Sequence, residues 1–145
     1  MPAPLTRRVA DFPFRSHEKV RYSDTDRQGH VNNAIFATYL ETGRVELLYH
    51  PTHPIVETGA ECVIASLALD YRGEIHWPGE VQVGTGVLRI GTSSMTLVQV
   101  AEQEGRPVAT AETVIVQIDS ATRKARPLSA AARERLQALR LEATP

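Results

Sequence analysis

Between Tyr22 and Leu48 the chain reads Y-S-D-T-D-R-Q-G-H-V-N-N-A-I-F-A-T-Y-L-E-T-G-R-V-E-L-L, which sets two carboxylates, a glycine, an imidazole and two amides directly ahead of an apolar run. Carboxylates and imidazoles take and give protons near neutral pH, and a carboxylate also attacks carbonyl carbon. Asn32 or Asn33 is a good helix N-cap. The first backbone N–H groups of such a helix have no partner within it and point back toward Asp26 and His30. A helix N-terminus carries about half a positive charge, which suits a carbonyl oxygen that gains negative charge under attack. Of the two aspartates, we give turn-building through its own backbone to Asp24 and the chemistry to Asp26, which stands closer to the helix. Asp26 acts as a general base on water or as a nucleophile, and the residue types leave both open. His30 orients water, bonds Asp26 or closes the turn, and these too stay open. Gly29, between them, is expected to lie against the substrate.

The elements that must position these groups are legible in the same chain. His17 to Ser23 reads as a short strand, with Val20 and Tyr22 on one face and Lys19 and Arg21 on the other. A helix is predicted from Asn33 to Tyr49, apolar on most sides in its first half and therefore enclosed by other structure; Pro51 and Pro54 end it. Gly43 costs roughly 1 kcal/mol relative to alanine inside a helix, so a close approach to a neighbouring backbone is expected there. Glu41 and Arg44, three apart, read as a surface or helix-end ion pair, the alternative being that Glu41 reaches the rim of the site. Four alternating runs follow: Val63, Ala65, Leu67, Leu69 and Tyr71; Val81, Val83, Thr85 and Val87; Met95, Leu97, Gln99 and Ala101; and Val108 to Ile118. Glycine and proline turns separate them. Ser129 caps a last helix carrying Leu136, Leu139 and Leu141. One strand, one interior helix and four further antiparallel strands predict an α+β fold, a sheet wrapped around a helix. Residues 1–16, without periodicity, are expected to be a flexible segment, and 17–145 a single domain.

Composition narrows the function classes. With 145 residues, 42% of them hydrophobic, the chain suffices for one domain with a core. A net charge of −1, with acids and bases interspersed, gives no reason to expect a nucleic-acid partner. The one cysteine, Cys62, excludes an intramolecular disulfide and reads as a buried structural thiol. No apolar run approaches a membrane span and no hydrophobic signal core opens the sequence, so no membrane is involved and the cytoplasm is the expected compartment. The H-P-T-H run at 50–53 has a spacing that metal sites use, but its prolines break the helix that would aim both rings, and neither metal nor other cofactor is expected.

The sequence D-x-D-x-x-G-H-V-N-N, followed by an apolar helix with Glu41 and Arg44, resembles the start of hotdog-fold acyl-CoA thioesterases, in the branch that includes 4-hydroxybenzoyl-CoA thioesterase. The resemblance implies a hotdog fold, Asp26 as the catalytic carboxylate, and the backbone N–H of Asn33 as the donor to the thioester carbonyl. His30 is similar to the histidine before V-N-N in plant acyl-carrier-protein thioesterases, which implies a catalytic part for it. The same branch implies a CoA groove beside the third and fourth strands, where Arg89, Thr92, Ser93 and Ser94 would hold phosphate. Only Arg89 is basic there, unlike the cluster in that branch, so an acyl-carrier-protein substrate stands beside acyl-CoA. The resemblance also implies a homodimer or homotetramer. Other functions compatible with the residues are a hotdog hydratase or dehydratase and a non-catalytic acyl-CoA-binding module.

Overall fold

The structure is a computed structural model and describes residues 7–141. Its elements are β1 (Phe14–Lys19), α1 (Asn33–Leu48), β2 (Ala60–Tyr71), β3 (Glu80–Ile90), β4 (Ser94–Gln103), β5 (Arg106–Asp119) and α2 (Ala130–Ala138). The strands form one five-stranded sheet in the order β1-β3-β4-β5-β2, with every pair antiparallel. β3, β4 and β5 follow one another through tight turns. The outer strands, β1 and β2, are contributed from either side of α1, so the sheet closes around that helix.

The first strand begins earlier than its sequence suggests. Phe14–Lys19 pairs with Thr85–Glu80; its F-R-S-H-E-K sequence lacks apolar alternation because it is an edge strand held by ladder hydrogen bonds rather than by burial. Val20 is buried, but Tyr22 is 72% exposed and opens a 3₁₀ turn, Tyr22–Asp24. Ahead of β1, Val9 and Phe12 are buried against Val98 and Val100 on the outer face of the sheet. Glu102 fastens this stretch by accepting from Arg8 Nε at 2.8 Å and from the Val9 N–H at 2.9 Å. Val9 and Phe12 thus anchor the stretch ahead of β1, and the start of the segment expected to be flexible, 1–6, lies outside the described residues.

α1 starts at the expected cap. Asn32 Oδ1 accepts the Ala34 N–H at 2.9 Å, and the helix stops at Leu48, ahead of Pro51. It buries Phe36, Tyr39, Leu40, Gly43, Arg44, Leu47 and Leu48. Arg44 corrects the surface pair expected with Glu41: it is 3% exposed, and its Nη1 donates to Gln99 Oε1 at 3.2 Å. Gln99 Nε2 in turn donates to the Leu40 carbonyl and to Thr85 Oγ1, each at 3.0 Å. This polar belt divides the interior in two. One core gathers Leu47, Val87, Met95, Leu97 and Leu136, the other Phe36, Leu40, Val81, Val83 and Ala111. Gly43 makes room for the side chains of Val83, Gln99 and Ser16, rather than for a backbone as expected: a Cβ there would meet them at 3.1, 3.2 and 3.3 Å.

In β2 a bulge between Ile64 and Ser66 changes which residues face inward. Ile64 pairs with Ile115 before it, and Leu67 with Thr113 after it, so both point to the α1 side, while Val63, opposite Val116, points outward. The unbroken alternation read from the sequence joins Val63 and Leu67 on one face, and the extra residue separates them. At the C-terminal end, α2 is capped by Ser129 Oγ, which accepts the Ala132 N–H at 3.0 Å, and it covers the core around Leu97. It ends at Ala138, so Leu141 lies beyond it and packs over Gly86 on the outer face.

Candidate active site

The loop from Asp24 to Asn32 is laced to its surroundings by backbone bonds. The Asp26 N–H donates to the His30 carbonyl at 2.9 Å and the Gly29 N–H to the Asp26 carbonyl at 3.0 Å, a tight turn in which Gly29 has φ 87°. Only glycine takes that conformation without strain. The loop is then tied sideways: Val31 donates to the Ile75 carbonyl at 2.8 Å and Asn32 to the Asp24 carbonyl at 2.9 Å. Asp24 itself is buried, accepting the Tyr39 hydroxyl at 2.6 Å and the Arg21 N–H at 2.9 Å. Burial pushes its pKa up, but the Tyr39 hydroxyl and the Arg21 N–H and guanidinium outweigh that and hold it below the usual carboxylate range. Asp24 is thus the structural aspartate.

Asp26 differs in surroundings. Its Oδ1 accepts the Gln28 N–H at 2.8 Å, and its Oδ2 faces His30 Nδ1 at 3.9 Å, with both side chains partly open to solvent. Beyond His30 lie Glu74, which the sequence does not single out, and His76, which from the sequence either lines the acyl pocket or caps the sheet edge. His30 Nε2 stands 3.8 Å from Glu74 Oε1, and Glu74 Oε2 stands 3.7 Å from His76 Nε2. The backbones of His30 and His76 are bridged, which brings the two loops together. The signal for Glu74 is its place in E-I-H, two polar residues around an apolar one; Ile75 is buried, so its neighbours are turned outward beside the Asp26–His30 loop.

At the helix start, the Ala34 N–H goes to the Asn32 side chain and the Ile35 N–H to the Asn32 carbonyl. That leaves the Asn33 N–H as the first-turn donor with no acceptor among the described residues. The Asn33 carbonyl accepts the Tyr71 hydroxyl at 2.9 Å, and the Tyr71 ring meets Phe36 edge-on at 5.0 Å. Asp26, Gly29, His30 and Asn33 are therefore gathered in one place.

Arg89, Thr92, Ser93 and Ser94 are not brought to that place within the subunit. The end of the sheet next to the loop carries Val83, Ala101, Ala109 and Tyr71, whereas the 91–94 turn closes the opposite end, about 25 Å along the strands. There the Ser93 carbonyl accepts the Gln117 N–H at 2.7 Å, and Arg133 Nη2 bonds the Gly91 and Thr92 carbonyls at 2.8 and 2.9 Å. Arg133 adds a cation to this turn that the local sequence does not contain. Arg89 is largely exposed and lies 3.3 Å from Glu112. His50 Nδ1 accepts from the Thr52 and His53 N–H groups at 3.3 Å each. Among the described residues no group of histidine, cysteine and carboxylate side chains is arranged to hold a metal ion, and no helix is long and apolar enough to cross a membrane. Burial pushes the Cys62 thiol up to about 11, so it is a poor nucleophile at neutral pH.

A five-stranded antiparallel sheet closed on one helix is the hotdog fold, and here a carboxylate and an imidazole stand at that helix's N-terminus. Residues 20–136 match the model of the thioesterase-like superfamily, and the chain belongs to that superfamily. It is 30% identical over 115 residues to YsmA of Bacillus subtilis strain 168, a match spanning 79% of this chain and 78% of that protein. It is 30% identical, with a TM-score of 0.76, to a thioesterase from Thermus thermophilus solved with coenzyme A and zinc, over 92% of this chain and 98% of that one. The PA5185 protein of Pseudomonas aeruginosa PAO1 superposes with a TM-score of 0.84 at 22% identity, covering 94% of this chain and 97% of that one, and shares the fold.

Proposed function

We propose that this protein hydrolyses an acyl-CoA thioester to the free acid and CoA. The observation that carries the proposal is the Asp26 carboxylate facing His30 at the start of α1, whose first N–H, on Asn33, is left without an acceptor among the described residues. The thioester carbonyl oxygen accepts from the Asn33 N–H and gains charge there. Asp26 either draws the proton from an attacking water or attacks the carbonyl carbon itself, giving an anhydride that water then opens. The tetrahedral adduct collapses with cleavage of the C–S bond. On the first route the proton taken by Asp26 goes to the departing thiolate, directly or through His30; on the second the thiolate leaves as the anhydride forms and takes its proton from the water that opens it.

The coenzyme A bound in the Thermus thermophilus relative favours CoA over a carrier protein as the thiol carrier. The CoA tail has a source of phosphate donors in the 91–94 turn if two copies pair antiparallel through β2. The Ala60 end of one copy then lies beside the Tyr71 end of the other, and the turn of one subunit comes to the same end as the Asn33 site of the other. Neither cofactor nor metal has a part in this reading.

Thiol release from short, long and aromatic acyl-CoAs tests it, with native protein and Asp26→Asn. Asparagine keeps the shape but neither accepts the proton nor attacks, so kcat should fall by roughly 10²–10⁴. A non-hydrolysable analogue should still bind. Undiminished turnover would pass the role to His30, and tight binding with no thiol release from any substrate would replace hydrolysis by ligand binding.

A further inference from the structure

Hydrolysis of a thioester at neutral pH leaves a proton over. Of the two protons that water brings, one ends on the thiol and the other on the new acid, which ionises, because carboxyls titrate at about 4 and thiols at about 8.5. That second proton has to leave the site in every turnover, and on the thioesterase reading Asp26 takes it from the acid. Asp26 Oδ1 already accepts the Gln28 N–H at 2.8 Å, so the proton is passed on at Oδ2, which faces His30 Nδ1 at 3.9 Å.

From His30 the line of titratable groups continues outward. The other ring nitrogen, Nε2, faces Glu74 Oε1 at 3.8 Å, and Glu74 Oε2 faces His76 Nε2 at 3.7 Å. Exposure rises along it: the Asp26 and His30 side chains are 24% and 21% exposed, those of Glu74 and His76 61% and 55%. Among the described residues these two imidazoles, and no lysine or arginine, stand within ion-pair distance of Glu74. Each gap is longer than a hydrogen bond. An exposed side chain changes rotamer within nanoseconds, so Glu74 closes on either imidazole by turning.

The backbone beneath that side chain is held. Gln103, 4% exposed at the end of β4, accepts the His76 N–H at Oε1 and donates from Nε2 to the His76 carbonyl, each at 2.8 Å. Gly79 leaves the room for this clamp, since a Cβ there would lie 2.7 Å from Gln103 Nε2. The Val31 N–H, donating to the Ile75 carbonyl at 2.8 Å, ties the same stretch to the His30 loop. A buried amide thus fixes the peptide of residue 76 and leaves the side chains of Glu74 and His76 free to move.

Resting on the thioesterase reading, we propose that Glu74 and His76 are the outlet through which the proton of hydrolysis leaves His30, and that Gln103 is the residue that positions it. His30 binds a proton from Asp26 at Nδ1 and releases the one on Nε2 to Glu74. Glu74 turns and passes it to His76 or to water, and the ring regains its first tautomer by exchange with solvent.

The test measures thiol release from hexanoyl-, palmitoyl- and benzoyl-CoA in weak buffer, with and without added imidazole, on native protein, Glu74→Gln, His76→Gln and Gln103→Met. In weak buffer Glu74→Gln should lose about tenfold in kcat, less than a group at the reacting atoms would, with KM unchanged. Added imidazole should carry the proton instead and restore the variant while leaving native protein unaffected. His76→Gln should show a smaller loss of the same kind. Gln103→Met should show the buffer-responsive loss too, and combining it with Glu74→Gln should take away little more. Native turnover with an undiminished Glu74→Gln, or a loss that imidazole does not restore, would overturn the outlet and leave hydrolysis standing. No thiol release from native protein on any of the three would overturn hydrolysis and the outlet with it. Should Gln103→Met fail to fold, Glu74→Gln and His76→Gln, both at exposed side chains, decide alone.

Discussion

Asp24 and Asp26 share a side chain and a loop, yet their surroundings are opposite in character. Asp24 is 3% exposed and saturated by Tyr39 and Arg21, whereas Asp26 keeps one oxygen turned toward His30. Because the folded-state pKa of Asp24 is held below its usual value of 3.8, it contributes stability that is fully present above that value and is lost as pH falls through the folded one. Thermal unfolding followed from neutral to strongly acidic pH should therefore show a loss below about pH 4. Asp24→Asn should cost about 1–3 kcal/mol at neutral pH and make that acid limb shallower; an identical limb in the variant would remove Asp24 from the account. The structural part of Asp24 was legible because a turn of this kind uses one aspartate to bond its own backbone. The partner of Arg44 was not, since Gln99 lies on a strand far along the chain. The hint was present all the same: Thr85 and Gln99 occupy inward positions of otherwise apolar runs, where a polar side chain needs a buried partner.

Elements showed through the sequence where burial wrote an alternating or helical period, and they were hidden where hydrogen bonding alone decided. α1, β3, β4 and β5 fall where their apolar positions and turn glycines place them. β1 has no such period, and the β2 bulge interrupts one. The packing of residues 7–13 was invisible for a third reason: it depends on a gap left by a distant glycine. A Cβ at Gly84 would lie 2.8 Å from the Phe12 ring, so the outer face of β3 accepts Phe12 only because that position has no side chain. Phe12→Ala should destabilise by about 3–5 kcal/mol through the cavity it opens. Gly84→Ala should also destabilise, through the clash. The double variant gives the new methyl the room vacated by the ring, so its cost should fall short of the sum of the two single costs. Denaturant midpoints of the four proteins measure the coupling, and strict additivity would show that Phe12 and Gly84 do not share the contact.

At the scale of the whole molecule, the sheet has two edges of different character. β1 is short and polar. β2 is a long edge strand whose backbone, among the described residues, has a partner on the β5 side alone, with Val63 exposed on its outer face and Ile64 and Leu67 on its inner face. Such an edge invites pairing with another strand. A second copy would meet it about a two-fold axis between Ala65 and Ser66, the middle of Ala60–Tyr71, so that the contact would be self-complementary. The pairing would extend the sheet across both subunits and bring the 91–94 turn and Arg133 of one to the Asn33 end of the other. Sedimentation at micromolar concentration should give twice the chain mass. Ser66→Glu sets two carboxylates close to the axis, where like charges facing each other across strands repel, and should shift the protein toward monomer. If the monomer also loses affinity for acyl-CoA while keeping its thermal stability, the turn of the second copy holds the tail. A native protein that sediments as a monomer would remove the dimer, and with it the assignment of Thr92, Ser93 and Ser94 to the CoA phosphates.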